Sequence, residues 1–176
     1  MKKVQYISYL TLLLLYLSSC AAQYHMSKVE CDSAFGGTVW IMRKGKTTRG
    51  AIFSEDRLTF PAPYNFTARF TPAPIDIEYA DKILGDNIKT IKSDAKKFGC
   101  NYTLKNKNSL KKYIHQYVGG INEKGERQIY MVLYLKDKST FVDFTELIVV
   151  CGGGDTYITA LVNLNTQKLD DYSLGI

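Results

Sequence analysis

The sequence predicts an α+β domain in which one amphipathic helix packs on an antiparallel β-meander. Two observations support this prediction. A run of helical periodicity follows a proline-bearing stretch, and the chain beyond it changes to the period-two alternation that is typical of strands. Helix followed by strands favours an α+β arrangement over a parallel α/β one, because no further helix separates the strands.

The helix is indicated by apolar residues at intervals of three and four, which form one face. They are Ile77, Ala80, Leu84, Ile88, Ile91, Ala95 and Phe98. Thr71 is the expected N-cap, with Pro72 as the first helical residue. Phe70 and Ile75 occupy the positions of a hydrophobic staple. Gly99 is the expected C-cap.

Strands are predicted on both sides of this helix. In chain order they are residues 38–42, 50–53, 112–121, 127–135, 147–151, 156–164 and 169–172. Residues 112–121 also fit a helix, because Leu110, Ile114 and Tyr117 have helical spacing. Residues 122–126 have the composition of a hairpin loop. The strand after this loop is apolar on both faces, which is typical of a central strand.

The first twenty residues have the pattern of a secretory signal. Lys2 and Lys3 precede an apolar run at residues 6–17, which is shorter than the roughly 20 residues needed to span a bilayer. The run ends in Leu17-Ser18-Ser19-Cys20. This ending resembles the lipobox of bacterial lipoproteins, in which an apolar residue and two small residues precede a cysteine. Plain secretion, which would need no cysteine, is the alternative.

The lipobox resemblance implies cleavage before Cys20, a diacylglyceryl thioether on its sulfur and N-acylation of the new terminus. Two or three acyl chains of the palmitate type anchor a protein durably. Residues 1–19 would be the signal peptide, residues 20–37 a lipidated tether and residues 38–176 a single α+β domain. Ala21 follows the cysteine, which by resemblance to Gram-negative sorting implies an outer-membrane protein that faces the periplasm.

Two further resemblances concern the domain. The order of a helix and a meander is similar to cystatin-like folds, which implies a layout and no activity. Turn and cap motifs occur at Phe70-Thr71-Pro72, Gln116-Tyr117 with Gly119, Lys124-Gly125-Glu126 and Gly152-Gly153. Together these motifs, within residues 70–176, resemble a group of small bacterial envelope lipoproteins that bring no known activity with them.

The charge pattern narrows the expected partners. The net charge is +6, or +4 without Lys2 and Lys3, and the basic residues cluster at 43–49 and 105–112. These clusters are interpreted as solvated loops or as contacts to anionic head groups or surface glycans. No nucleic-acid motif is present, so nucleic acid is not expected. The expected partners are the membrane, through the lipid on Cys20, and an envelope protein or glycan.

The remaining cysteines give one structural prediction. Cys151 ends an apolar run, which favours a buried and inert thiol. Cys31 and Cys100 lie in polar surroundings, and they are the expected disulfide of an exported protein.

Few groups suit catalysis. The chain has two histidines, of which His25 lies in the predicted tether and His115 in a predicted strand. A dyad of Cys151 and His115 would lack a third group to orient it. The glycines at 152–154 lack the Lys-Ser/Thr ending of a P-loop, and no ligand spacing indicates zinc. We therefore expect no catalytic residue, metal or cofactor.

The sequence favours a non-enzymatic, lipid-anchored accessory or binding module of the cell envelope. Its candidate binding surface on the exposed side of the sheet comprises Tyr113, His115, Tyr117, Tyr130 and Tyr134. The alternative for the tyrosines is packing inside the protein. A second hypothesis is a small envelope enzyme that uses His115 and a carboxylate in a helix–sheet pocket. A third is a protease inhibitor by cystatin-like analogy, for which no inhibitory motif is found.

One geometric criterion separates the first two hypotheses. A concave pocket with His115 and an acidic side chain within hydrogen-bond reach would favour the enzyme. A filled interior under a flat, tyrosine-bearing sheet would favour the binding module.

Overall fold

The computed structural model describes residues 25–31, 36–44, 46–57, 59, 65–97, 104–135, 143–149 and 154–175. Within these ranges the strands are β1 (His25–Glu30), β2 (Thr38–Lys44), β3 (Thr47–Phe53), β4 (Ala68–Phe70), β5 (Tyr113–Ile121), β6 (Arg127–Leu135), β7 (Gly154–Asn163) and β8 (Lys168–Gly175). The helices are α1 (Pro74–Asp86), α2 (Ile88–Lys97) and a 3₁₀-helix (Lys107–Lys112). None of these helices is long and apolar enough to cross a membrane.

The eight strands belong to one mixed sheet, in which seven have the order β1-β2-β3-β5-β6-β7-β8 and β4 lies off this order, paired with β5. Strand β3 runs parallel to β5, with Gly50 opposite His115 and Phe53 opposite Val118. The other strand pairs are antiparallel. Strand β6 pairs along the whole of β5, so β3 and the short β4 share the opposite side of β5.

The predicted fold class, one helix on an antiparallel meander with a cystatin-like layout, is therefore wrong. A meander exists, but it comprises only β5 to β8, and β1 to β3 extend the sheet through the parallel pair. Strand β1, at residues 25–30, comes from the segment that the sequence assigned to a tether. Parallel pairing joins strands that are far apart in the chain and leaves no local pattern to predict it.

The structure also has two helices where the sequence predicted one. Asn87, with φ −91° and ψ 0°, separates α1 from α2, and its side-chain amide donates a hydrogen bond to the Ile83 carbonyl (2.9 Å). The predicted apolar face is nevertheless buried at Ile77, Ala80, Leu84, Ile88, Ile91 and Ala95. Both helices therefore pack on one core despite the break.

Helix α1 begins two residues later than predicted. Ala73 is the N-cap and Pro74 the first helical residue, in place of Thr71 and Pro72. The Ala73 side chain has no acceptor for the helix amides, but the Ala73 N–H donates to the Asp76 carboxylate (2.9 Å). This hydrogen bond is one of the two that make up a capping box, and it satisfies the backbone N–H of Ala73.

The predicted hydrophobic staple is wrong. Ile75 is 55% exposed, and because the N-cap is Ala73, Phe70 and Ile75 are not at the two positions that a staple joins. Phe70 instead lies under the guanidinium of Arg127, whose central carbon is 4.3 Å from the ring centroid. The predicted C-cap, Gly99, lies outside the described residues.

The central strands are buried on both faces, as the sequence of β6 predicted. The helix-side core includes Leu84, Ile91, Tyr117, Met131 and Ile158. The core on the other face includes Val39, Phe53, Val118, Val132 and Leu161. The hairpin between β5 and β6 is also confirmed, with Gly125 at a φ of 77° that favours glycine.

The segment at residues 143–149 covers the second face. Phe144, Leu147 and Ile148 pack against that core. A strand was predicted at 147–151, but residues 147–149 have no regular secondary structure and the last two lie outside the described residues.

Gln116 holds this covering segment in the way that a neighbouring strand would. The side chain is fully buried, and its amide donates to the Glu146 carbonyl (2.7 Å). Its oxygen accepts from the Ile148 N–H (2.7 Å). One side chain thus replaces the pair of backbone hydrogen bonds of a sheet.

Arg57 is the second anchor of the covering segment. Its guanidinium donates to the Gly36 carbonyl (2.7 Å), the Thr145 carbonyl (2.8 Å) and the Glu146 carboxylate (2.8 Å). Because Arg57 is only 1% exposed, these hydrogen bonds replace the hydration that burial removes.

Candidate functional site

A cavity of about 250 Å³ opens between α1, the 3₁₀-helix and strands β2, β3 and β5. Its apolar lining comes from Met42, Ile77, Leu110 and Tyr113. Its polar lining comes from Lys44, Arg49, Asp81, Lys107, Lys111, His115 and Tyr117. An engineered protein cavity of about 150 Å³ holds benzene, so this cavity has room for a somewhat larger molecule.

The parallel pairing of β3 with β5 brings two parts of this cavity together. Gly50 lies opposite His115, and a Cβ at position 50 would lie 1.9 Å from the His115 carbonyl oxygen. Only glycine allows this approach. Arg49, which precedes this glycine, is thereby placed at the cavity, where its guanidinium donates to the Lys111 carbonyl (2.9 Å).

A closed hydrogen-bond network forms one wall of the cavity. The His115 Nε2 donates to the Leu110 carbonyl (3.0 Å). In the imidazolium form, Nδ1 donates to the Asp81 carboxylate (3.2 Å) and to the Tyr117 hydroxyl oxygen (2.9 Å). The Tyr117 hydroxyl in turn donates to Asp81 (2.9 Å). Every donor in this arrangement has an acceptor.

The network favours the charged form of His115. Burial acts to lower the pKa of His115, but the hydrogen bond and the charge of Asp81, aided by the Leu110 carbonyl, raise it above its usual value. Arg49 opposes this rise with a smaller effect. The His115 side chain is 12% exposed, so the imidazolium is held by its partners more than by water.

The mouth of the cavity is cationic. Lys44, Lys107 and Lys111 are exposed and Arg49 is half-buried. Lys107 lies 3.4 Å from the Asp86 carboxylate, which is a loose ion pair. Asp81 is the acidic residue of the lining, and its Oδ1 is already engaged by Tyr117 and His115.

The structure does not gather the predicted tyrosines on one surface. Tyr113 and Tyr117 are buried on the helix side of the sheet. Tyr130 and Tyr134 lie on the opposite face, because the antiparallel register places Tyr130 opposite Val118 and cross-strand partners share a face. Of the predicted set, His115 and Tyr117 contact each other directly.

Several predicted sites lie partly or wholly outside the described residues. Cys20, Cys100 and Cys151 are among them, so the lipidation, the disulfide and the expectation that Cys151 and His115 form no dyad stay predictions. Cys31 is half-buried beside the core of the second face. Within the described ranges, no three His, Cys or acidic residues are grouped to hold a metal ion.

Sequence reasoning missed Asp81 and Arg49. The position of Asp81 carried one signal, because a charge four residues after Ile77 borders the buried face of the helix. Arg49 carried none beyond its place in a basic cluster, because its approach to His115 depends on the long-range pairing of β3 with β5.

Comparison with known proteins finds no matching family model, no matching curated protein and no matching solved structure. The candidate site therefore rests on its geometry alone.

Proposed function

We propose that this chain is a lipid-anchored cell-envelope protein that acts as a non-enzymatic binding module, with the cavity as its ligand site. The observation that carries the proposal is the engagement of both His115 ring nitrogens. The Nε2 faces the Leu110 carbonyl, and the Nδ1 faces Asp81 and Tyr117. General acid–base catalysis needs a ring nitrogen within reach of a substrate, whereas a binding wall needs only a fixed shape and charge.

The membrane anchor is supported by the lipobox resemblance at residues 17–20, and the position of β1 limits how far the sheet would lie from it. This strand begins at His25, so the chain from Cys20 to His25 reaches at most roughly 18 Å. A lipid on Cys20 would thus hold the sheet close to the membrane surface. The proposed location is the periplasmic face of the outer membrane.

We expect Cys20→Ser to abolish membrane anchoring. Acyl chains on the Cys20 sulfur supply the hydrophobic attachment, and the serine variant loses the thioether that carries them. The measurement is detergent-phase partitioning and fractionation of cells that express each variant. Cys31→Ser is the matched control and should stay in the membrane fraction. Unchanged partitioning of Cys20→Ser would contradict the lipid anchor.

The enzyme hypothesis keeps one observation in its favour. His115 lies 3.2 Å from the Asp81 carboxylate in a concave cavity, which meets the criterion set from the sequence. A catalytic base works best when its pKa lies near the operating pH and its nitrogen is open to substrate. The titration of His115 therefore tests whether Asp81 engages the ring, and the turnover of a His115 variant separates the two functions.

We expect His115 to titrate above its usual value of 6.5, and Asp81→Asn to lower that midpoint. When the folded-state pKa of His115 is raised, protonation of the ring stabilises the folded protein. This stabilisation is complete below pH 6.5 and is lost as the pH rises through the folded-state pKa. The wild type should exceed Asp81→Asn in stability by about 1 kcal/mol between about pH 5 and 6.5. The difference should shrink at higher pH.

The measurements are the NMR titration of the histidine ring protons and urea unfolding across the same pH range. His25→Gln assigns the two histidine signals. A His115 midpoint below 6.5, or a stability difference that grows with pH, would contradict the engaged imidazolium. An intact melting temperature combined with loss of a measured turnover in His115→Gln would favour the enzyme.

A further inference from the structure

We infer that the cavity binds a small amphipathic anion, with a compact hydrocarbon body inside and an anionic head group at the cationic mouth. This inference rests on the proposed binding function and names its ligand class. A cavity of about 150 Å³ holds the six carbons of benzene. By the same proportion, 250 Å³ holds a ligand of roughly ten non-hydrogen atoms.

The interior of the cavity suits a hydrocarbon. Met42, Ile77, Leu110 and Tyr113 line it, and each is at most 6% exposed. Apolar walls of this kind favour the burial of an apolar group of a ligand. Each methylene that moves from water into the cavity should raise the affinity about fourfold.

The mouth of the cavity suits an anion. The side chains of Lys44 and Lys111 make no ion pair with any residue in the described ranges. Arg49 is held in place by its hydrogen bond to the Lys111 carbonyl, and a positioned guanidinium matches a carboxylate with two parallel hydrogen bonds. Four cations thus face an opening whose acidic residue, Asp81, is engaged in the wall.

His115 and Asp81 leave this preference to the cations of the mouth. In the imidazolium form His115 offsets the charge of Asp81, and its hydrogen bonds go to Leu110, Asp81 and Tyr117. The wall therefore offers no free nitrogen to a ligand and no unpaired carboxylate that repels an anion. A cationic or neutral ligand of the same shape would gain the apolar contacts and lose the attraction of the mouth.

The test is a titration of the full chain carrying Cys20→Ser, in detergent-free buffer of low ionic strength, with octanoate as the probe. Octanoate has ten non-hydrogen atoms and one carboxylate. We expect a Kd of roughly 0.1–1 mM by calorimetry, with amide shifts around the cavity in NMR spectra. Octylammonium, 1-octanol and inorganic phosphate should each bind at least tenfold more weakly.

Two further series locate the binding. The double variant Lys44→Gln/Lys111→Gln should weaken octanoate binding fivefold to tenfold and reduce its dependence on salt. The double variant Lys89→Gln/Lys92→Gln makes the same charge change at exposed positions of α2, and it should leave the affinity unchanged. Butanoate should bind more weakly than octanoate. Dodecanoate should bind no more tightly than octanoate, because octanoate already fills the cavity.

Three outcomes would overturn the inference: equal binding of octylammonium or octanol, equal weakening by both double variants, or affinity that keeps rising with chain length. If octanoate fails while the Cys20 and His115 results hold, the binding module stands and its ligand class is wrong. If octanoate binds but a His115-dependent turnover is found, the ligand class stands and the non-enzymatic function is wrong.

Discussion

Arg57→Met is expected to lower the free energy of unfolding by about 3 kcal/mol and to loosen the segment at residues 143–149. The guanidinium is 1% exposed and bonds the carbonyls of Gly36 and Thr145 as well as the Glu146 carboxylate. Methionine fills much of the same volume but donates nothing, and a partly buried carbonyl without a donor costs near the lower end of about 1–3 kcal/mol. Two such carbonyls and a lost ion pair account for the expected effect.

Urea unfolding measures the stability, and amide hydrogen exchange at Ile148 measures the loosening. Glu146→Gln is the matched control, because it removes the charge of a side chain that is 47% exposed and leaves Arg57 its two carbonyls. Ion pairs with an exposed partner contribute about 0–1 kcal/mol, so the control should stay in that range. Equal losses in the two variants would show that the ion pair, and not the carbonyl anchoring, holds the segment.

Gly50→Ala is expected to destabilise the protein by at least about 3 kcal/mol and to disturb the cavity. The new Cβ would lie 1.9 Å from the His115 carbonyl oxygen and 2.9 Å from its carbon. Both atoms belong to the backbone of β5, so no side-chain rotation relieves the clash and the two strands must separate. Separation breaks parallel hydrogen bonds and moves Arg49 away from the 3₁₀-helix.

Gly85→Ala provides the matched control for this prediction. The atoms nearest to its Cβ would be those of the Lys107 side chain, at 2.7 Å from Cε and 3.0 Å from Cδ and Cγ, and this exposed side chain can move aside. Alanine is favoured over glycine in a helix by about 1 kcal/mol, so this variant should be neutral or more stable. Thermal unfolding of both variants and octanoate titration are the measurements. A Gly50→Ala protein with wild-type stability and binding would contradict the close β3–β5 contact.

Short-range features of this protein were predicted well because their causes are local. The hairpin between β5 and β6 depends on turn residues within a few positions, and Gly125 adopts the positive φ that the loop requires. The buried face of α1 and α2 follows from intervals of three and four in the chain. Both patterns can be recognised in the sequence because they do not depend on tertiary contacts.

Features that depend on distant neighbours were missed. The break at Asn87 leaves the apolar periodicity intact, so the pattern alone indicated one helix. The strand predicted from residue 147 is instead a covering segment, because the Gln116 side chain satisfies its backbone groups in place of a strand. Apolar runs of this length are ambiguous until the partner that covers them is known.

The candidate site shows the same division. The sequence by itself identified His115 as the histidine in a structured setting, and it placed Tyr117 on the same side of the strand, because alternation in a strand is a local property. Only the tertiary structure brought Asp81 from α1 and Arg49 from β3 to that histidine. Those contacts arise from helix-on-sheet packing and parallel strand pairing, whose energies come from residues far apart in the chain.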